Sequence, residues 1–350
     1  MNAMRNLDDS LRMNSITASA TTVVIDVVIC TYNRASNLEG VLAALSAQRV
    51  DPDIKWSVLV VDNASTDHTA SVVGAHRARQ VLPGLRRVLE SEQGLTWARR
   101  RGVRETSAPW IAFVDDDNLV EPGWLQAIAE AIRTHPQAGG IGGRVALDWE
   151  QPAPDFIKSF GFCFAEQETG HFAHEVSSLV GAGMVVKREA LAGCGWLERP
   201  LLGDRIGKRL VSGGDVEIAQ RVRGAGYPLW YTPEAVLRHR ISRDRLSRRY
   251  LVRVNYGLGS SEALVSALIW PGDWKSWRRA ARWRSAKAIA RALYRPQGLV
   301  ARLASLSFAI GFARGVSACM GLAPEGRQAL LGAATRRGVV TVDYRQGLWQ

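Results

Sequence analysis

Trp110-Ile-Ala-Phe-Val-Asp-Asp-Asp-Asn118 is the stretch on which the fold turns. Five apolar residues read as a buried strand, and three adjacent aspartates end it. Ionised carboxylates are too costly to take out of water in a strand interior. Asp115, Asp116 and Asp117 therefore face solvent or a cation. Residues two apart leaving a strand point to the same side, which pairs Asp115 with Asp117. A hard divalent ion held by one or two such carboxylates and by substrate phosphates fits magnesium or manganese chemistry. An acidic turn that merely stops the strand is the competing reading.

Working outward, the same pattern recurs. Val23–Cys30 is a β-branched run, broken only by Asp26, that leads into Thr31-Tyr32-Asn33-Arg34. Trp56–Val61 is a second strand ending at Asp62, and Arg86–Glu90 a short third. Helical spacing covers Ser36–Gln48, Thr66–Arg79, Leu95–Glu105 and Pro122–Thr134. Strands alternating with helices predict an α/β fold with a single, mostly parallel, doubly wound sheet. In such sheets ligands bind beyond the carboxyl ends of the strands. Thr31–Arg34, Asp62–Ser65 and Asp115–Asn118 all fall there. Beyond Gly139 the pattern loosens. Strands are expected at Gly142–Leu147 and Gly183–Val186, helices at Arg188–Cys194 and Asp215–Gly224. Leu229–Thr232 and Ala235–His239 read as a closing strand pair, and the chain after Ser242 as mostly helical to about Gly321.

Two further features carry chemistry. Gly214-Asp215-Val216-Glu217 opens a helix, where Asp215 is either an N-cap or a general base raised into a cleft. His239 ends an apolar strand and matters chemically only if it completes a metal shell with Asp117.

Six segments in order resemble the inverting family-two glycosyltransferases with a GT-A fold. They are Val27-Val-Ile-Cys-Thr-Tyr-Asn-Arg34, Val60-Val-Asp-Asn-Ala-Ser-Thr-Asp67, Gln93-Gly-Leu-Thr-Trp-Ala-Arg-Arg-Arg-Gly102, Phe113-Val-Asp-Asp-Asp-Asn118, Gly181-Ala-Gly-Met-Val-Val-Lys-Arg188 and Ser212-Gly-Gly-Asp-Val-Glu217. The resemblance covers roughly residues 23–260. It implies a donor-nucleotide site at Thr31, Tyr32, Asn33, Arg34, Asp62, Asp115 and Asp116, with Asp117 and His239 on a Mg²⁺ or Mn²⁺ ion that bridges the diphosphate. It implies a sugar and acceptor pocket at Gly181, Ala182, Gly183, Gly214 and Glu217, where small residues allow close backbone approach. Asp215 is implied as the base that deprotonates an acceptor hydroxyl. The donor is then a nucleoside-diphosphate sugar and the acceptor a glycan or lipid-linked glycan. Three positions depart from the family pattern. Gly214 stands where Glu is common before the base, Asn63 replaces the second Asp of a pair, and Arg100 stands where Asn is frequent. Arg279-Ala-Ala-Arg282-Trp283 is superficially like the Q-x-x-R-W motif of processive synthases. It lacks the Gln and lies far past Asp215, which favours transfer of a single sugar.

Charge is unevenly placed. The 350 residues carry a formal net charge of +12, yet residues 241–350 hold 19 basic and 5 acidic side chains, and residues 1–240 are close to neutral at −2. The expected organisation is a disordered stretch 1–22, a catalytic domain 23–240 with nucleotide half 23–118 and acceptor half 119–240, and a basic helical region 241–350. Within the latter, 274–295 mixes cations with tryptophan and suits an anionic membrane surface. No nucleic-acid-binding motif accompanies the charge, so no nucleic-acid partner is expected. The four cysteines are scattered and form no C-x-x-C pair, which fits a reducing compartment. Residues 1–22 lack an apolar core, so no signal peptide is expected. Leu299–Ala318 is interrupted by Arg302 and Arg314, leaving an uncharged run of 303–313 that is short for a membrane span. Together these predict a cytoplasmic enzyme, peripheral at the inner face of the plasma membrane. The alternatives are a nucleotidyltransferase, for which Cys30–Arg34 lacks the phosphate loop, and a membrane- or nucleic-acid-binding protein with a degenerate transferase domain.

Overall fold

The computed structural model describes residues 22–203, 213–294 and 298–335. The stretch 1–22, apart from Thr22, lies outside the described residues, as does Ser212. β1 (Val23–Thr31), α1 (Ala35–Ser46), β2 (Ile54–Asp62), α2 (Thr69–Arg79), β3 (Arg86–Leu89), α3 (Leu95–Glu105) and β4 (Trp110–Asp115) alternate as expected. Next come β5 (Asn118–Val120), α4 (Trp124–Thr134), β6 (Gly140–Trp149), α5 (Asp155–Lys158) and a 3-10 turn at Gly161–Phe164. β7 (His174–Val176), β8 (Val185–Lys187), α6 (Arg188–Gly193), α7 (Gly214–Gly224) and β9 (Leu229–Ile241) complete the α/β part. A 3-10 turn at Arg243–Leu246 leads into α8 (Arg248–Leu268), α9 (Trp274–Tyr294), α10 (Leu299–Gly321) and α11 (Pro324–Leu330).

Among the described residues nine strands form one sheet, ordered β3-β2-β1-β4-β8-β6-β9-β5, with β7 also against β9. β1 to β4, β6 and β9 run one way, and β5, β7 and β8 run against them. Both faces are covered, which is why β1 reads as an almost continuous apolar run. Ile25, Val27 and Ile29 pack on one side with Leu38, Leu42 and Ile128 of α1 and α4. Val28 and Cys30 pack on the other with Ala98, Val103 and Ile218 of α3 and α7. The one polar interruption, Asp26, is satisfied by Ser57 Oγ at 2.6 Å and by the Ser107 and Ala108 N–H groups at 2.9 and 2.8 Å.

Two expectations change. The closing strand pair is one strand, β9, running beside β6 with a register shift after Gly143. That shift needs glycine, because a Cβ on Gly143 would fall 1.8 Å from the Ala235 carbonyl oxygen. α10 is 23 residues long and, by length and composition, apolar enough to cross a membrane, although 44% of its most apolar window is buried inside the protein. It lies against α8 at backbone contact: a Cβ on Gly259 or on Gly311 would sit 2.1 Å from the carbonyl oxygen of Phe308 or Tyr256.

The C-terminal helices also grip α7. Val216, in the first turn of α7, shares a core with Leu268, Trp277, Phe312 and Val316. At its other end, a Cβ on Gly224 would strike the Ala334 carbonyl. The basic region therefore braces the helix that carries Asp215.

Candidate active site

Parallel pairing aligns the strand ends: Thr31 lies opposite Asp62, and Cys30 opposite Asp115. The three polar clusters therefore share one edge of the sheet. Thr31 Oγ donates to Asp116 Oδ2 at 2.8 Å. Loss of solvation, reinforced by the neighbouring Asp117 charge, pushes the Asp116 carboxyl up to about 7, against the opposing pull of Thr31 and Arg34. Asn33 adopts a left-handed backbone with φ 51°. Its Oδ1 accepts from the Thr66 N–H at 2.7 Å, and its own N–H donates to Ser65 Oγ at 3.0 Å. Asp62 is buried: Oδ1 accepts the Ser65 N–H at 2.9 Å and Oδ2 meets Arg87 Nη1. Asp62 thus shapes the loop after β2. Tyr32 and Arg34 are exposed beside it. Asn63, the departure from an acidic pair, donates to the Glu90 and Glu92 carbonyls and accepts from the Gly94 N–H. A carboxylate has no N–H for the two carbonyls.

Asp117 meets His239 because β5, which follows the aspartates directly, pairs with β9 and sets Asn118 opposite His239. His239 Nε2 lies 3.4 Å from Asp117 Oδ1. Arg245 Nη2, from the turn after β9, lies 3.3 Å from Asp117 Oδ2. Among the described residues no group of three or more His, Cys, Asp or Glu could hold a metal. One carboxylate and one imidazole still fit Mg²⁺ or Mn²⁺ when substrate phosphates supply the remaining ligands. That Asp117 and His239 already flank a guanidinium marks the spot as one that gathers positive charge.

On the acceptor side, Asp215 is half-buried in the first turn of α7. Gly213, not Asp215, is the N-cap. Asp215 Oδ2 accepts the Gly181 N–H at 2.9 Å and Oδ1 the Val216 N–H at 2.9 Å. A Cβ on Gly181 would sit 2.8 Å from Arg99 Nη2 and 3.0 Å from Asp215 Oδ2. Arg99 Nη2 is also 3.6 Å from Asp115 Oδ1. Asp115, Arg99, Gly181 and Asp215 therefore form one continuous line. Ala182 and Gly183 follow, buried, Gly183 with φ +71°.

Glu217 is a correction. It was expected in the acceptor pocket, yet it is fully buried. It pairs with Arg221 at 2.9 Å and accepts the Leu201 and Leu202 N–H groups. Residues two apart on a helix do not share a face, so Glu217 turns inward when Asp215 faces the cleft. Gly214 is buried at the start of the same turn. Two arginines of α3 are buried: Arg99 reaches the site, and Arg100 donates to the Leu197 carbonyl at 2.9 Å. Arg99 and Arg245 were both missed. Arg99 lay inside a quoted motif, whereas Arg245 carried no signal.

Residues 26–193 match the model of glycosyl transferase family 2. That segment belongs to glycosyl transferase family 2, and the chain is an enzyme that transfers sugars. A glucosyl-dolichyl phosphate glucuronosyltransferase of Haloferax volcanii is 23% identical to this glycosyltransferase over 254 residues, covering 70% of the chain and 78% of the relative. Two solved structures share its fold. Mannosyltransferase PcManGT from Pyrobaculum calidifontis, in complex with GDP-Man and Mn²⁺, has a TM-score of 0.52 at 20% identity, covering 83% of this chain and 86% of the other. TarS 1-349 of S. aureus, in complex with UDP-GlcNAc, has a TM-score of 0.53 at 15% identity, covering 88% and 84%. The expected GT-A fold stands. Asp215 lies beyond the matched segment of the glycosyltransferase, so its assignment rests on geometry.

Proposed function

We propose that the enzyme moves one sugar from a nucleoside-diphosphate sugar to a hydroxyl of a glycan or lipid-linked glycan, with inversion and with help from Mg²⁺ or Mn²⁺. The observation that carries this reading is the line Asp115–Arg99–Gly181–Asp215, ending beside Asp117 and His239. The relatives lend support, since one acts on a dolichyl-linked sugar and the neighbours bind GDP-Man with Mn²⁺ or UDP-GlcNAc. Asp215 takes the acceptor proton as the acceptor oxygen bonds to the anomeric carbon. The bond from that carbon to the diphosphate breaks, and the nucleoside diphosphate leaves with the electron pair. A single displacement of this kind inverts the anomeric centre. Asp117 and His239 would hold a divalent ion, which would supply charge stabilisation to the leaving diphosphate.

The proposed setting is the inner face of the plasma membrane, with 23–240 as catalytic domain and 241–350 as its docking region. On α9, Trp277, Ala281 and Ala292 face the protein, whereas Trp283 and Tyr294 are 62% and 86% exposed. Leu293 and Leu299 are exposed beside them, and Arg279, Arg282, Lys287 and Arg291 flank the stripe. Exposed aromatic and aliphatic groups rimmed by cations match an anionic lipid surface.

The test is a panel of nucleoside-diphosphate sugars with Mn²⁺, read first by thermal shift and then by the anomeric configuration of the product. Asp215→Asn is expected to lower turnover by about 10²–10⁴-fold while leaving donor binding intact. Wild-type-like turnover in that variant would sink the base assignment.

A further inference from the structure

Arg245 belongs to no recognised motif, yet it closes the donor side of the site. It is 6% exposed on the turn after β9. Its Nη2 lies 3.3 Å from Asp117 Oδ2 and its Nη1 3.5 Å from His239 Nε2. The other ring nitrogen, His239 Nδ1, is 2.6 Å from the Phe164 carbonyl oxygen. A carbonyl only accepts, so Nδ1 carries a proton, and Nε2 is the ring atom turned towards Asp117 and Arg245. A carboxylate and an imidazole nitrogen thus face one guanidinium.

We infer that Arg245 occupies the divalent ion's place between Asp117 and His239 in the donor-free enzyme, and contacts the donor diphosphate once the ion has displaced it. This rests on the nucleotide-sugar reading above. A buried guanidinium parted from its carboxylate is strongly unfavourable unless another anion receives it. The donor's diphosphate is the anion that the reaction brings to this edge, and its oxygens match the planar donor fork of arginine. An ion arriving alone evicts Arg245 from its ion pair and leaves it only the weaker pull of Asp244 and Asp116. A nucleotide arriving alone meets an arginine still held by Asp117. Arriving together, they exchange partners. Arg245 is therefore a positioning residue whose signature is positive coupling between ion and nucleotide.

The experiment uses the full chain as wild type, Arg245→Met and Arg245→Lys, each checked for folding by thermal unfolding. Mn²⁺ binding is read by electron paramagnetic resonance, with and without UDP or GDP. Nucleotide binding is read by calorimetry, with and without Mn²⁺. Arg245→Met is expected to bind Mn²⁺ alone about fivefold more tightly than wild type, to bind nucleotide with Mn²⁺ about tenfold more weakly, and to lose the coupling. Arg245→Lys, which keeps the charge but not the fork, is expected to fold and to show weakened coupling even where the methionine variant fails to fold. Unchanged Mn²⁺ affinity and unchanged coupling in a folded variant overturn the assignment. If wild type binds neither nucleotide nor nucleotide sugar in the presence of Mn²⁺, the donor reading falls with it. Wild-type binding with an unaltered variant removes Arg245 alone.

Discussion

Gly181→Ala isolates the acceptor side of the site with a single methyl group. The new Cβ would sit 2.8 Å from Arg99 Nη2 and 3.0 Å from both Cβ and Oδ2 of Asp215. Comfortable heavy-atom contacts lie near 3.5–4.0 Å, so the arginine and the aspartate must retreat by roughly 0.5–1 Å between them. The 2.9 Å bond from the Gly181 N–H to Asp215 Oδ2 lengthens at the same time. A misplacement of about 1 Å in a reacting group costs about 10²-fold. A tenfold to hundredfold fall in kcat is therefore expected, equivalent to about 1.4–2.7 kcal/mol of barrier. The assay pairs steady-state turnover with calorimetric binding of nucleoside diphosphate and Mn²⁺. Donor affinity should fall less than kcat, because Asp117 and His239 are untouched and only Arg99 passes the shift on to Asp115. Wild-type kcat, or an equal loss in donor affinity, would refute the reasoning. Gly183→Ala is the contrast: with φ +71° and a Cβ only 2.3 Å from Leu237 Cδ2, it should destabilise the fold itself, by about 1–3 kcal/mol in denaturant unfolding.

Other outcomes follow from the same geometry. Glu217→Ala leaves Arg221 buried without its carboxylate and should cost about 3–5 kcal/mol in urea unfolding; a pure loss of kcat with stability retained would return Glu217 to the acceptor pocket. Burial raises the Glu262 carboxyl against the opposing pull of Arg284. An acid raised in the folded state contributes most below its unfolded pKa and loses that contribution as pH rises through the folded value. Glu262→Gln should therefore gain stability relative to wild type as pH climbs from about 4 towards neutrality, and melting curves with parallel pH profiles would contradict this. Charge reversal at Arg279, Arg282 and Lys287 removes about 1 kcal/mol per cation near an anionic surface. Cosedimentation with phosphatidylglycerol vesicles should then fall by more than about hundredfold, while turnover of a soluble acceptor is retained. Equal wild-type partition into neutral phosphatidylcholine vesicles would argue against charge-driven docking.

Legibility in the sequence followed the range of the interactions involved. β1, β4 and the second half of β2 were readable because a strand covered on both faces is apolar throughout, as Val27, Val28 and Ile29 are. β5 was not: Asn118–Val120 is three residues long and exists through its pairing with β9. The break expected between Thr232 and Ala235 is spanned by β9, at the register shift beside the space that Gly143 leaves on the neighbouring strand. Asp215 was singled out through the family resemblance, its glycine-rich approach by itself leaving an N-cap role open. The inward turn of Glu217 was not read, although positions two apart on a helix do not share a face. Arg99 was hidden because an arginine in α3 looks like a solvated one until β4 and α7 are placed against it.

Charges alternate locally at the carboxyl edge of the sheet. Asp62 lies against Arg87, Asp115 against Arg99, and Asp117 against Arg245 of the basic region. These three carboxylates of the metal-nucleotide reading each have a cation, whereas Asp116 accepts from Thr31 Oγ, so the edge carries little net field to draw a dication or a polyanion alone. Either one entering by itself must separate a half-buried ion pair and leave one member unmatched. On the exchange proposed for Arg245, a diphosphate and a divalent ion entering together would pass carboxylate to metal and guanidinium to phosphate, and every charge would keep a partner. Such an edge would then discriminate against free phosphate and free metal. Its selectivity lies in the exchange, which sets Arg245 and Arg99 beside the aspartates as determinants of what the site accepts.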